Sequence, residues 1–477
     1  MTLSSSLRGV SALAIVLALA GCVSTPDLGP KPKPLAAADL ASVRSLAAPV
    51  ADWPQDSWWT AYGDTQLSQL IEEALKTSPS LAQAQARMRK ADAQVGTARS
   101  ALLPQVSANG QVATTESSRN MGYPPFIQQQ LPQGYQDNGR VTLDASWDLD
   151  LFGRNRAALA SATSEAEAAR ADAAQVRLTL STAVAGAYAD LARLYAQRDA
   201  AEGALKVRQQ VEDLVAQRVQ NGLDSNAELD QAKAATPAAR ADLAALDEQI
   251  DIARHRLAAL LGAGPDRGLD IARPGPTALK PFGLPSNLAV DLIGRRPDLV
   301  AARLRAQAAS KRIDVAKADF YPNIDLSGYL GRQSLGIDLL TQPQSNIGNL
   351  GLALRLPIFQ GGKLKAAYKG SRADYDAAVA AYDETLTGAL RDVADAAATS
   401  RSVADQLASR QQALAAGENA WKLARLRYEN GLSNYVAVLT AENDVLTQRR
   451  AVAELQARAF TADIALVRAL GGGFTAN

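Results

Sequence analysis

The chain has 477 residues, 47% of them hydrophobic but only 5% aromatic, with 21% charged and a formal net charge of +1. Near-neutral charge without a run of Lys/Arg argues against a nucleic-acid binder, which carries a basic stripe. One cysteine and one histidine exclude a cysteine-rich zinc site, a disulfide framework and a conventional Cys/His dyad. Much of the apolar fraction is alanine, which suits long helices in close contact better than one thick core. His255, within DIARHRLAALLG, reads as a partly exposed helix residue, because a single ligand has no partners.

The N-terminus reads MTLSSSLRGVSALAIVLALAGC. Arg8 precedes a short apolar run from Val10 to Ala20 and small residues follow, which is the pattern of a secretory signal. Leu19-Ala20-Gly21-Cys22 resembles the bacterial lipobox, in which the cysteine is acylated and becomes the mature N-terminus; a plain signal cut at a small residue is the alternative. The lipobox resemblance implies a signal peptide over 1–21 and a covalent lipid on Cys22, with palmitate as an expected acyl group. It also implies an outer-membrane destination, because Val23 replaces the aspartate typical of inner-membrane retention. Residues 22–78 are read as a lipid-anchored extension with short helices. No later segment has the eighteen uninterrupted apolar residues of a spanning helix. If this chain crosses a membrane, it does so with strands.

From Pro79 the chain repeats itself. PSLAQAQARMRKADAQVGTARSALLPQVSANG aligns without a gap on PDLVAARLRAQAASKRIDVAKADFYPNIDLSG, pairing Pro79 with Pro297 and Pro104 with Pro322 at a constant offset of 218. Further on, RVQNGL at Arg218 matches RYENGL at Arg427 at an offset of 209. An internal duplication follows, with a first repeat over 79–283, a second over 284–471 and a tail over 472–477. Each repeat reads helix, two strands, long helix, tight turn, helix.

In the first repeat the opening helix runs from about Pro79 to Leu103, and Pro104 opens a strand with Val106, Ala108, Gly110 and Val112 on one parity. A loop over 116–139 leads to VTLDASWDLDLFGR. There Val141, Leu143, Ala145, Trp147, Leu149 and Leu151 alternate with Thr142, Asp144, Ser146, Asp148 and Asp150. In the second repeat Ile324, Leu326, Gly328 and Leu330 mark a third strand, and Leu350 to Ile358 a fourth, with Asn349 and Arg355 on the other parity. Strands of ten to twelve residues with one apolar face match what spans a bilayer. Open edges cannot sit in lipid and four strands cannot close, so the strands imply an oligomer: eight strands from two chains, or twelve with room for a channel from three. Asp144, Asp148, Asp150, Asp325 and Arg355 would then face a wet lumen. A soluble sheet with one solvated face is the alternative.

The helices lower that alternative. Arg154 to Gln220 contains no proline, which at 1.5 Å per residue is roughly 100 Å of helix, and 363–429 is equally free of it. Both end at Asn-Gly-Leu, where glycine takes the left-handed conformation cheaply. Ser225 or Asn226, and Ser433 or Asn434, are placed to cap the return helices. Pro237 should bend the first return helix, and 265–285, with five prolines, reads as a linker.

SWDLDLFGR (146–154), RLAALLG (256–262), GRRPDLVAAR (294–303), AKADFYPNIDLSG (316–328), LPIFQGG (356–362) and YENGLSNYVAVLTAEND (428–444) resemble the outer-membrane efflux protein family. This is the TolC-like group of outer membrane factors, here its lipoproteins of RND-type multidrug efflux systems. The resemblance implies a mixed α and β membrane fold: a homotrimer with a twelve-stranded β-barrel, four strands per chain, continued by a long α-helical barrel in the periplasm. It implies a passive exit duct in the outer membrane, lipid-anchored, working with a periplasmic adaptor protein and an inner-membrane RND pump. Carried over, the adaptor-docking and gate tips are Arg218, Asn221, Gly222 and Glu228, and Arg427, Tyr428, Asn430 and Gly431. One departure is that Ala437 and Thr440 stand where some members narrow the pore with acidic residues, although Asp230, Glu442 and Asp444 lie nearby.

No cofactor, metal site or nucleic-acid partner is expected, and with no GxxxxGK(S/T) loop the energy must come from a partner. Two alternatives stay open: an exit duct for secreted proteins or peptides, and a periplasmic hydrolase using Asp148 and Asp150 as a carboxylate pair. The second needs a pocket that flat alternation does not provide.

Overall fold

The structure, a computed structural model, describes residues 25–476 except 117, 119–121, 123, 131–132, 276–282 and 287. The signal sequence and Cys22 lie outside the described residues, as do Pro276 and Pro281 of the linker. The chain divides into two compact units, and these are not the two repeats. The first comprises Arg89–Glu167 and Arg303–Ala380 with the chain up to Lys33; the second comprises Pro34–Met88, Ala168–Ala302 and Ala381–Asn477. Each unit draws on both repeats.

The main elements in order are α1 (Thr65–Thr77), α2 (Pro79–Ser100), β1 (Gln105–Glu116), β2 (Tyr135–Asp148), α3 (Arg154–Gln220) and α4 (Asn226–Leu260). The second repeat supplies α5 (Leu288–Arg295), α6 (Pro297–Ala318), β3 (Asn323–Leu335), β4 (Asn346–Arg355), α7 (Lys363–Glu429) and α8 (Tyr435–Ala469). The repeats match in length, with 67 residues in both α3 and α7 and 35 in both α4 and α8. Pro79 and Pro297 each occupy the first turn of a helix, where a missing N–H costs nothing. The α2 helix ends at Ser100, not Leu103: Leu102 and Leu103 donate to carbonyls three residues back, a tightened last turn before Pro104 forces extended backbone. Pro237 does not break α4, which runs on through it.

In the first unit the strands form one antiparallel sheet in the order β1-β2-β3-β4. The register pairs Gly110 with Val141, Leu143 with Leu330, and Gly328 with Leu350. It places Val106, Val112, Val141, Leu143, Trp147, Leu330, Leu350, Leu352 and Leu354 on one face, and every one of them is exposed in the single chain. The other face carries Gln105, Ser107, Asn109, Thr142, Asp144, Ser146, Asp325, Ser327, Tyr329 and Asn349. The ladder leaves β1 and β4 each with one unpaired edge. The chain before Lys33 lies along α7, where Arg372 donates to the Gly29 carbonyl (3.2 Å) and the Tyr375 hydroxyl to the Pro32 carbonyl (3.0 Å).

The second unit holds the packed cores. The largest gathers Trp58, Trp59, Tyr62, Leu67, Ile71, Val184, Tyr188, Leu191, Leu257, Phe460 and Ile464. Trp58 meets Trp59 edge-on at 5.7 Å, and Tyr62 meets Phe460 at 4.8 Å. A separate cluster, with Val211, Val215, Ala232, Tyr428, Tyr435 and Val438 at its centre, packs the hairpin ends of α3, α4, α7 and α8 together.

Candidate functional site

At the first hairpin end, α3 closes with the Leu223 N–H donating to the Arg218 carbonyl (2.8 Å) and the Gly222 N–H to that of Val219 (3.0 Å). Gly222 has φ 71°, the left-handed conformation this closure requires. The second end repeats it: Leu432 to Arg427 (2.8 Å), Gly431 to Tyr428 (2.9 Å), with Gly431 at φ 72°. Asn221 and Asn430 each turn their side-chain amide back onto a carbonyl four residues earlier. The Glu228 carboxylate accepts from the Ser225 N–H (2.8 Å) at the start of α4, and Asn434 accepts from the Ala437 N–H at the start of α8. Asn221, Gly222, Glu228, Asn430 and Gly431 thus shape the turns. Leu223 and Leu432, at 64% and 76% exposure, are the apolar groups these turns present to solvent.

Arg218 and Tyr428 are tied to each other through a residue that the sequence reading passed over. The Arg218 guanidinium grips both oxygens of Asp224, Nε at 2.9 Å and Nη2 at 3.2 Å. The Tyr428 hydroxyl donates to the same carboxylate at 2.6 Å, and the guanidinium lies 4.7 Å over the Tyr428 ring. Nη1 reaches the Tyr428 carbonyl at 3.4 Å. One carboxylate therefore joins the first hairpin to the second. Burial disfavours its charge, but the Arg218 and Tyr428 hydrogen bonds outweigh this and hold its pKa below the usual carboxylate range. The Tyr428 phenol is pushed up by burial and by its bond to Asp224, so it stays a donor. Arg427 is exposed at the tip, as are Ala437 and Thr440. The available signal was the LDS after the turn, where an acidic residue lies six positions after an arginine in the last turn of α3.

Of the five residues expected in a lumen, Asp144 and Asp325 lie on the polar face of the sheet. Asp144 accepts from Asn109 (2.9 Å) and Thr142 (2.7 Å), and Asp325 from Asn323 (3.1 Å). Arg355, the last residue of β4, pairs in register with Asn323. Asp150 is a correction. The strand ends at Asp148, and Asp150 sits in the turn at φ 48°, its side chain buried. Its carboxylate accepts from the N–H groups of Asn155 (2.8 Å) and Arg156 (3.0 Å) and pairs with the Arg156 guanidinium (3.1 Å). Free N–H groups at the start of a 67-residue helix outbid the alternation of the strand. Asp148, still in register with Asp325, turns one oxygen to the Asp150 N–H and the other to the Asn155 amide. Both carboxylates of the supposed hydrolytic pair are engaged in this turn. Among the described residues no three His, Cys, Asp or Glu side chains gather as a metal site would require.

The model of a family described as outer membrane efflux protein matches residues 70–263 and 288–472. The chain is similar to the fusaric acid resistance protein FusA of Burkholderia cepacia, at 37% identity over 76% of this chain and 69% of that one. It is 31% identical to the multidrug resistance outer membrane protein MdtP of Escherichia coli K12, over 99% of this chain and 96% of that one. Among solved structures it resembles the outer membrane protein VceC of Vibrio cholerae, with a TM-score of 0.83 and 39% identity, covering 88% of this chain and all of that one.

Proposed function

Because the chain belongs to the outer membrane efflux protein family, we propose that it is the exit duct of a tripartite efflux system of the RND type. It is an outer-membrane transport protein, and the duct carries small molecules outward without doing chemistry on them. The sheet carries this reading: one face is apolar and exposed, the other polar, and both edges are open. An exposed apolar face is unfavourable in water and an unpaired edge is unfavourable in lipid, and a bilayer takes up the first while the second is resolved when β1 of one copy pairs with β4 of the next in a closed barrel. Three copies close twelve strands, with the apolar face toward lipid and the polar face, with Asp144 and Asp325, lining a water-filled passage.

The lipid on Cys22 would hold the strap before Lys33, docked on Arg372 and Tyr375, against the same bilayer. Gating belongs to the hairpin ends. While Asp224 bonds both Arg218 and Tyr428, the two hairpins of a chain cannot part; a periplasmic adaptor seated on Leu223 and Leu432 would separate them. The names of the relatives, multidrug and fusaric acid resistance, favour drug-sized solutes over secreted proteins. The test is single-channel conductance in a planar bilayer together with mass in detergent. A trimer that conducts weakly, and several-fold more when Tyr428 is replaced by Phe, fits the tip-gated duct. A monomer without conductance overturns it.

A further inference from the structure

Behind the tip lock, a second ion pair is buried between the hairpins, and no role in the gate so far described falls to it. Glu442 of α8 is 5% exposed and occupies a position in the apolar stripe Tyr435, Val438, Val445. Its Oε1 lies 3.5 Å from Arg208 Nε of α3, but the two are out of alignment: neither atom has a hydrogen-bond partner in the protein. Arg208 is otherwise provided for, since Nη1 donates to the Ala235 carbonyl of α4 (3.3 Å) and Nη2 to Asn443 (3.0 Å). The cation thus keeps two acceptors whatever the state of the acid. The anion is the poorly served partner, and a buried carboxylate oxygen without a donor favours either the neutral acid or water.

We propose that Glu442 is a proton-operated clamp on the hairpin ends: protonated, it lets α3, α4 and α8 stay packed around it, and its ionisation loosens them. Charged and polar groups surround the pair. From α3 come Arg208 and, toward Tyr435, Glu212; α4 presents the Ala235 carbonyl to Arg208. From α8 come Asn443 and Tyr435, whose phenol is pushed up by burial and by Glu442, and α7 contributes Trp421 to the adjoining cluster. Further along α8 the Arg449–Glu418 pair is closed on itself at 2.7 Å.

Burial raises the Glu442 pKa above its ordinary value, and the Arg208 charge only partly offsets this. The packed state therefore binds the proton more tightly than an opened, solvated state does. Packing is strongest below the ordinary carboxylate value and weakens as pH rises through the elevated one. The consequence for flux, a tighter duct in acid and a looser one in alkali, rests on the gating reading above; the clamp itself does not.

The experiment is hydrogen exchange of the peptides spanning the two hairpin ends in the full-length protein, wild type against Glu442→Gln, from pH 5 to 8.5, with conductance measured in parallel. Taking the ratio at each pH cancels the intrinsic exchange rate. The expected ratio is near one at the acid end and rises at least about threefold at the alkaline end, because glutamine stays neutral throughout. A second variant, Arg208→Gln, removes the offsetting charge and should move the step to higher pH, which decides the matter even where Glu442→Gln folds poorly. In a conducting channel, a flat ratio for Glu442→Gln, or a step that Arg208→Gln leaves unmoved, overturns the clamp. The same step in a protein that conducts at no pH supports the clamp and removes the duct reading instead.

Discussion

The two repeats share a backbone and divide the chemistry. Their long helices are equal in length, their hairpin ends close with the same pair of hydrogen bonds, and Gly222 and Gly431 differ by one degree in φ. The side chains at matching places are not the same. Asp224 corresponds to Ser433, Val219 to Tyr428 and Lys233 to Glu442 at the offset of 209. Asp224 gathers Arg218 and Tyr428, while the Ser433 hydroxyl is buried with no partner. The first repeat supplies the anion of the lock and the second its phenol; two identical halves could not have built it. Duplication fixes where the hairpins end, and divergence decides what holds them together.

Replacing Asp224 should break that division most severely. Asp224→Ala leaves Arg218, 14% exposed in its side chain, without its counter-ion and Tyr428 without its acceptor. The local opening free energy of the hairpin ends, read by hydrogen exchange, should fall by about 3 kcal/mol, the usual cost of breaking a buried pair from one side. Ser433→Ala, at the matching place, should change nothing measurable. The pH dependence of the lock runs opposite to that of Glu442. With a pKa depressed in the folded state, Asp224 contributes fully above its ordinary value of 3.8 and loses its contribution only as pH falls through the depressed one. The difference between wild type and Asp224→Asn should therefore be constant from pH 8 to 5 and shrink below about 3.8.

The strand-to-helix turns divide in the same way. In the first repeat Asp150 holds the turn with its carboxylate; in the second Gly361 and Gly362, at φ 56° and 86°, turn the chain by conformation, with the Lys363 N–H donating to the Gln360 carbonyl (3.0 Å). Asp150→Ala removes two backbone N–H bonds and the Arg156 pair at the start of α3 and should lower stability by about 2 kcal/mol, seen as a drop in thermal midpoint. An equal midpoint would mean that Arg156 and Asn155 support the turn without it.

Period, proline and glycine made most of the architecture legible. Alternation exposed four strands and their apolar face, proline-free stretches marked α3 and α7, and Asn-Gly-Leu marked both hairpin ends to the residue. The misses have one cause: alternation and spacing report which face a side chain takes, not what it bonds. Asp150 obeyed the parity of β2 in the sequence, yet in space the free N–H groups of α3 drew it into the turn. Asp224 looked like one polar loop residue among several, because its partners lie 6 residues before it and 204 after it. Glu442 was noticed only as one of several acids near the tip, although its place in the apolar stripe of α8 was readable.

The smallest effect tests the shared backbone itself. Gly222 and Gly431 have the same left-handed φ, and a β-carbon at either would meet no atom within 4 Å. Substituting alanine at each should therefore cost only the conformational strain, about 1 kcal/mol. Because nothing steric distinguishes the sites, the two costs should agree to within a few tenths of a kcal/mol, despite the different networks behind them. Hydrogen exchange of the Leu223 and Leu432 amides, which close the two turns, would report each cost locally. If Gly222→Ala proved much the costlier, strain at the first turn would be reaching Asp224 two residues on, and backbone and lock could no longer be treated as separate inheritances of the duplication. If the costs match, the duplicated turns are interchangeable frames, and the asymmetry between the hairpins resides in Arg218, Asp224 and Tyr428.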